Sequence, residues 1–554
     1  MSTVPIKYDT YYKYDELTDA LRQLTAAYPT LCQMGSIGRS WQGRDVWYVT
    51  LTNQQTGNHA EKPAIYIDGN THAGEVTGSI TALYTIDYLL QNYGRDEEVT
   101  WLLDNRTFYV VPRVNPDGAE LYLTTPYMLR SSVRPWPYAD VSELPGLYAE
   151  DIDGDGYILQ MRVRDDKKGE WKVSARDERI LVPRLMDDRT GPFYRLYTEG
   201  LIADYQGEPF GIRPTPWGLD LNRNYPSQWN NRIKGGGDYP TSEPEIKNVV
   251  DFILAHKNIG ALEALHTAGG IFFRSPYTYP ESQLNPEDLQ LLRTLARRGT
   301  DFTGYPDVPS TSGVFAATIV DWAYENCGIP GFTPELWDMA GRAGTKPTDW
   351  LSNTPPTPAE AEEREYLLLQ WNDRELASQG FFRWRKFNHP QLGEVELGGW
   401  NPKFVRQNPP HKLLEQECYK MCRFLLKHAT ALPQAAIEQV SVNEQSAGVY
   451  RVSVLAANHG FLPTYLCNKG KEIKAMRQDK LTVELPVGAE LLLGRPEVEL
   501  GHLQGYFNGQ RIYGGPAESA KRVDFLIKAP AGTSVTLLLD SQKGGVCRSE
   551  VTLR

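Results

Sequence analysis

The chain has 554 residues, 41% of them hydrophobic, and its 58 Lys+Arg against 69 Asp+Glu leave a net charge of −11. That length exceeds one minimal domain and the apolar content suffices for substantial cores. The acidic balance argues against nucleic acid or an anionic membrane as partner, and no run approaches the roughly 18 apolar residues of a membrane span. The opening, MSTVPIKYDTYYKYDEL, has no basic stretch followed by an apolar one. As written, the chain is therefore expected in the cytoplasm, or outside it if a leader was removed. The six cysteines form no CxxC pair. Cys418 and Cys422, four apart in the helical pattern LLEQECYKMCRFLLKHA, are expected to be small semi-buried residues.

In chain order, residues 63–68, PAIYID, have the composition of a short buried strand. The loop GNTHAGE follows, then a helical stretch in which Ile80, Leu83, Ile86 and Leu90 recur every three or four residues. Residues 107–114, TFYVVPRV, predict a second strand, ended by a turn at Asn115, Pro116, Asp117 and Gly118. Residues 119–217, rich in Pro, Gly, Asp and Arg and weak in periodicity, interrupt the pattern as a long insertion. Ser242 and Glu245 stand at capping-box spacing before a periodic helix carrying Ile246, Val249, Val250 and Ile253. A strand, IGALEAL, then delivers His266 at its end. Strands alternating with helices predict an α/β domain with a largely parallel sheet. From about Pro433, the segments GVYRVSVLAA, KLTVELPV and TSVTLLLD have β-type composition between Gly/Pro turns. The expected organisation is residues 1–432, with the insertion at about 119–217, and a separate all-β sandwich at 433–554, an accessory module without a catalytic constellation.

Of the nine histidines, His72 forms a His-x-x-Glu pair with Glu75 just past the end of a hydrophobic strand, the edge where open α/β sheets bind ligands. His266 ends another buried strand. Two imidazoles and a carboxylate leave one open position on tetrahedral zinc, the pattern of a catalytic site. The alternative is a satisfied core histidine at 266 and a loop histidine at 72. In the insertion, DIDGDGY at 151–157 spaces Asp151, Asp153 and Asp155 like the first half of an EF-hand loop, with Gly156 at its sixth position. Its twelfth position is Arg162, so a structural Ca2+ there requires another acid, Asp165, Asp166 or Glu170, to close the shell. A solvated Asp-Gly turn is the alternative.

Further segments carry a family resemblance. They are YYKYDELTDALRQLTAAYPTLCQMGSIGRSWQGRDVW near the start, VNPDG at 114–118, GLDLNRNYP, SEPEIKNVVDFI at 242–253 and DWAYENCGIPGFTPELWD at 321–338. With His72, Glu75 and His266 they fall in the order of the M14 (carboxypeptidase A-like) zinc carboxypeptidases, which the chain resembles over roughly residues 8–430. The stretch 387–404 is similar to one in larger bacterial members, and His389 within it reads as structural. The resemblance implies a mixed, largely parallel sheet flanked by helices and one catalytic Zn2+ held by His72, Glu75 and His266. It further implies hydrolysis of the C-terminal peptide bond of peptides with a free C-terminal carboxylate, by a zinc-activated water. Glu335 takes the place of the general base, Arg130 that of the oxyanion stabiliser, with Arg134 as its rival, and Asn222 and Arg223 that of the carboxylate clamp. Val320 takes the place of the side-chain selector, which implies no preference for basic C-termini.

Two positions depart from the family pattern. Gly74 stands where many members carry an arginine, and Gly313 where they carry a mobile tyrosine, for which Tyr305 is the nearest substitute. Arg274 is a candidate for facing the cleft. The competing functions are an amidohydrolase on the same scaffold, acting on acyl groups or peptidoglycan stem peptides, and a non-catalytic zinc-binding or adhesive protein.

Overall fold

The computed structural model describes residues 4–309, 315–346, 355–509 and 518–554. Its centre is a sheet of eight strands: β1 (Cys32–Arg39), β2 (Asp45–Leu51), β3 (Ala64–Gly69), β4 (Thr107–Val111), β5 (Ile259–Thr267), β6 (Ile271–Arg274), β7 (Asp307–Pro309) and β8 (Gly331–Leu336). Their order is β1-β2-β4-β3-β5-β8-β6-β7. The four central strands β4, β3, β5 and β8 run parallel, whereas β1, β2 and β6 pair antiparallel at the flanks. Every residue of β3, β4 and β5 is buried. That burial explains the continuous apolar runs at PAIYID and IGALEAL, since a parallel strand is covered on both faces. The helices Val76–Asn92 and His411–Thr430 pack on β3, β5 and each other, and the helix Pro244–Ala255 packs on β1. Cys418 and Cys422 are free thiols buried within His411–Thr430.

Two local expectations change. Asn115, Pro116, Asp117 and Gly118 form the start of a helix, Pro116–Thr124: the Asn115 side chain accepts from Gly118 N, and Pro116 fills the first turn, where no N–H is needed. The capping box at Ser242 does not form. Ser242 Oγ bonds Glu243, and Glu245 accepts instead from Trp41 N at 2.8 Å, so a tertiary contact takes the group the local motif would use.

The insertion is more ordered than its composition suggests. Strands Gln160–Arg164, Trp171–Val173, Leu181–Pro183 and Phe193–Thr198 join a hairpin, Phe381–His389 with Gly393–Trp400, in one six-stranded sheet. Its strands are short and its partner hairpin lies about 200 residues away, so period-2 alternation has little length in which to show. His389 is structural here: its Nε2 lies 2.9 Å from Gly200 O, and its Nδ1 accepts from Gln391 N and Leu392 N.

After the helix His411–Thr430 the chain forms two antiparallel four-stranded sheets, the first opening with Ala435–Ser446 and the second closing with Gly545–Thr552. Tyr450, Val452, Leu481, Phe525 and Leu537 fill a core between them. The connecting segments leave that core: Leu462, Leu466 and Phe507 are part of the main apolar cluster around the eight-stranded sheet. Arg548 grips Glu61 through both terminal guanidinium nitrogens at 2.9 and 2.8 Å, and the buried Lys543 ammonium donates to Ile259 O at the start of β5.

Removing everything after residue 432 therefore uncovers part of the main core. Each buried Leu or Phe contributes about 1.5–3 kcal/mol. Calorimetry of the full chain should show the two parts melting together. A chain ending at 432 should melt lower by roughly 10 °C or more, or be insoluble. An unchanged melting temperature would show that the two parts are energetically independent.

Candidate active site

The site assembles at the C-terminal edge of the central parallel strands. After β3 the chain turns through Asn70, whose φ of 60° is left-handed and whose side chain donates to His72 O at 2.6 Å and Ala73 O at 3.1 Å. That loop presents His72 and sets Glu75 immediately before the helix Val76–Asn92. Strand β5 carries His266, and its register partner on β8 is Glu335. His72, Glu75 and His266 are 3%, 2% and 1% exposed. His72 Nδ1 lies 2.9 Å from Glu75 Oε1, His266 Nδ1 lies 2.8 Å from Glu75 Oε2, and the two ring nitrogens are 2.9 Å apart. Two imidazole nitrogens and a carboxylate thus converge on one buried point. A cation there satisfies all three at once, and a borderline-soft ion with N and O ligands and one position left open matches zinc. On the far side of the His72 ring, Nε2 is 3.0 Å from Asp220 Oδ1. A carboxylate behind a ligand histidine fixes the tautomer that turns Nδ1 toward the metal.

Charges in this cluster oppose burial. Burial acts to raise the carboxyls of Glu75 and Asp220. Yet His72 and His266 hold Glu75, and His72, Arg130 and Arg223 hold Asp220, below the usual carboxylate range. Glu335 goes the other way: burial and then the Glu75 charge raise it. Asp68, at the end of β3, is fully buried with neither oxygen bonded, and burial raises it to about 7.

The sequence candidates divide clearly. His72, Glu75, His266, Glu335 and Arg130 line one cavity of about 230 Å3, together with Asn222 and Arg223. Arg130 Nη1 donates to Glu75 Oε1 at 3.0 Å, and its Nη2 donates to Asp220 Oδ2 at 3.2 Å. The rival Arg134 is committed elsewhere, to Glu243 and Asp238. Asn222 Oδ1 accepts from Ile319 N at 3.0 Å, and its amide nitrogen has no partner among the described residues. Arg223 lies 4.8 Å over the Phe315 ring, and its Nη1 donates to Asn222 O. Among the described residues it forms no salt bridge.

Val320 is a correction. It lies at the start of the helix Ile319–Cys327, fully buried in the main core, and does not line the cavity. Thr318 caps that helix by accepting from Asp321 N, and the turn it sets points residue 320 inward. Phe273, Tyr277, Phe315 and Thr333 form the wall instead. Tyr305 is buried, bonded to Glu417 and to Trp337 N, away from the cavity. Gly313 lies outside the described residues. Arg274 is 1% exposed and paired with Asp307 and Glu281, so it is a structural ion pair. At Gly74 a Cβ would stand 2.5 Å from Gln407 Oε1. Gln407 fills the space that a side chain at 74 would need.

The sequence reading did not single out Asp220, although it stands two residues before Asn222 in GLDLNRNYP. Its carboxylate has no catalytic spacing to mark it; only the fold brings it behind His72. In the insertion, Asp151 and Asp153 converge with the buried Glu199, their ligand atoms within 4.8 Å of one another. Asp165, Asp166 and Glu170 do not join them: Asp166 bonds Arg164, and Asp165 and Glu170 pair with Arg195. Asp155 turns to Arg385, which also binds Asp153.

Comparison with known proteins matches this geometry to a family. The chain is 24% identical to carboxypeptidase A2 of Rattus norvegicus over 350 residues, 60% of this chain and 64% of that protein. It thus spans less than two thirds of that relative's length. It is 22% identical to rat carboxypeptidase A1 over 385 residues, 67% of this chain and 71% of that one. A zinc carboxypeptidase of Saccharothrix mutabilis subsp. capreolus is 30% identical over 132 residues, 24% of this chain and 29% of that one. Among solved structures, thrombin activatable fibrinolysis inhibitor aligns with a TM-score of 0.41 at 20% identity, over 65% of this chain and 74% of that one. A family model described as a domain of unknown function matches residues 434–552. The model described as zinc carboxypeptidase matches residues 17–355, more than half of the chain. With the metal-ligand cluster inside that span, the chain belongs to the zinc carboxypeptidase (M14) family.

Proposed function

We propose that the chain is a metallocarboxypeptidase that hydrolyses the C-terminal peptide bond of peptides. The observation that carries this reading is the single cavity lined by the His72, Glu75 and His266 cluster, by Glu335 and by the Arg223 and Asn222 pair. Zinc bound at the cluster supplies Lewis acidity toward the scissile carbonyl and toward water. The remaining chemistry belongs to the chain's own side chains. Arg223 and the Asn222 amide nitrogen bind the substrate's terminal carboxylate, a planar fork and a neutral donor for two oxygens. That contact sets which bond lies beside Glu335. Glu335, whose proton affinity burial raises, takes a proton from the attacking water and returns it to the leaving amine. Arg130, tethered by Asp220, has a half-exposed guanidinium that can turn from Glu75 to the carbonyl oxygen as negative charge develops there. Asp220 acts through His72, holding the ring in orientation.

Metal content and activity separate these roles. His266→Ala should lose stoichiometric zinc and turnover together. Glu335→Gln should keep its zinc and lose about 10²–10⁴-fold in kcat. Full zinc in the first, or activity within about tenfold of wild type in the second, would move the roles to other residues.

The carboxylate clamp is tested with matched free-acid and amidated peptides. An unpaired charge in such a site costs about 2–5 kcal/mol, roughly 30- to 5,000-fold in kcat/KM. With no arginine at 74, the lower part of that range is expected. Arg223→Ala should impair cleavage of the acid peptide and change that of the amide little. Equal cleavage of both by the wild type would favour the amidohydrolase reading.

We also propose that a structural calcium ion is held by Asp151 and Asp153 with Glu199, because three acidic side chains meet there through oxygen donors alone. Arg385 offsets part of their charge already, so the ion's contribution is modest. Calcium added after chelation should raise the melting temperature. No calcium on metal analysis and no thermal shift would leave the loop as a turn.

A further inference from the structure

Besides Thr318, which caps a helix, the cavity contains three hydroxyls that the catalytic steps do not use. Thr267, Tyr277 and Thr333 all line it and are 6%, 4% and 3% exposed; the Thr267 hydroxyl has no hydrogen-bond partner among the described residues, and those of Tyr277 and Thr333 have at most each other. A buried hydroxyl without a partner costs about 1–3 kcal/mol, so folded proteins rarely leave hydroxyls with unused hydrogen-bonding capacity facing a cavity without a ligand to meet them.

These groups are held in position by the scaffold. Thr333 lies on β8 two residues before Glu335, so its side chain leaves the strand on the same face as the Glu335 carboxyl. Tyr277 is fixed through its backbone, whose N–H donates to both carboxylate oxygens of Asp321 at 3.2 and 3.1 Å. Its ring stands edge-on to Phe273, with centroids 5.9 Å apart. The Tyr277 hydroxyl faces Thr333 and lies within electrostatic reach of Arg223 and Glu335. It shares one cavity with the group assigned to the terminal carboxylate and the group assigned to proton transfer, where the side chain of a bound C-terminal residue must also lie.

The chemistry of this wall is neutral. Each charged side chain around the cavity already has a place in the metal cluster, the clamp or the proton transfer. The wall itself offers hydroxyls on an aromatic floor of Phe273, Tyr277 and Phe315. Among the described residues that line it, the wall itself carries no charge to meet a basic or acidic side chain, and an aliphatic one leaves its hydroxyls without a substrate partner.

Resting on the carboxypeptidase reading above, we propose that Thr267, Tyr277 and Thr333 form the specificity wall. It selects C-terminal residues with a neutral side chain that both donates and accepts hydrogen bonds, a carboxamide or a hydroxyl. Sites built to hydrogen-bond a substrate reject the analogue lacking that group far more strongly than an apolar pocket rejects a methylene.

The test uses the zinc-loaded full chain and free-acid peptides that differ only in their last residue, in near-isosteric pairs: Asn against Leu, and Thr against Val. The expected result is kcat/KM at least about tenfold higher for Asn and Thr than for their partners, the scale of one to two net hydrogen bonds. Tyr277→Phe, which keeps the ring, and Thr333→Val, which keeps the shape, should each collapse those ratios toward unity. Cleavage of all four peptides with Leu and Val equal to or ahead of Asn and Thr would overturn the specificity proposal and leave the carboxypeptidase reading standing. So would ratios unmoved in both variants. No cleavage of any free-acid peptide by zinc-loaded protein would overturn both.

Discussion

The structure turns on three buried donor atoms that do not belong together without a cation. Two imidazole nitrogens meet at 2.9 Å with a carboxylate against both. Each comes from the end of a parallel strand or the loop behind it, so the sheet order β4-β3-β5-β8 decides whether the cluster exists. The surrounding charges answer to the same point. Asp220 orients His72, Arg130 bridges Glu75 and Asp220, and Glu335 stands opposite His266 in the register of β8. A divalent ion held there would reverse the net charge of the three ligands and would free Arg130, which leans on Glu75, for a substrate.

Much of the sheet was legible because it is buried on both sides. PAIYID, TFYVV and IGALEAL are short apolar runs, and the candidate ligands follow the first and the last of them. The candidate metal cluster stood out for the same reason: His72 and Glu75 follow one such run and His266 another. What the sequence hid depends on contacts between distant segments. Asp220 gains its role only because the segment before Asn222 passes behind His72. Glu199 joins Asp151 and Asp153 across more than 40 residues of insertion. The six-stranded sheet needs a hairpin from beyond residue 380.

The pocket wall shows how family position and physical position can part. Val320 occupies the expected place in the chain, yet the helix that starts at Ile319 turns it into the core. Tyr277 and Phe315 line the cavity instead. Gln407 does the same at Gly74, so an absent arginine is matched by a side chain from a remote segment. These replacements reshape the substrate side of the cavity while the metal side stays intact.

The most direct test of the central claim is the product itself. A free-acid peptide incubated with the zinc-loaded protein in oxygen-labelled water should appear by mass spectrometry as a peptide shorter by one C-terminal residue. The new C-terminal carboxylate should carry one labelled oxygen. Internal cleavage, or an intact peptide in the presence of bound zinc, would contradict the account.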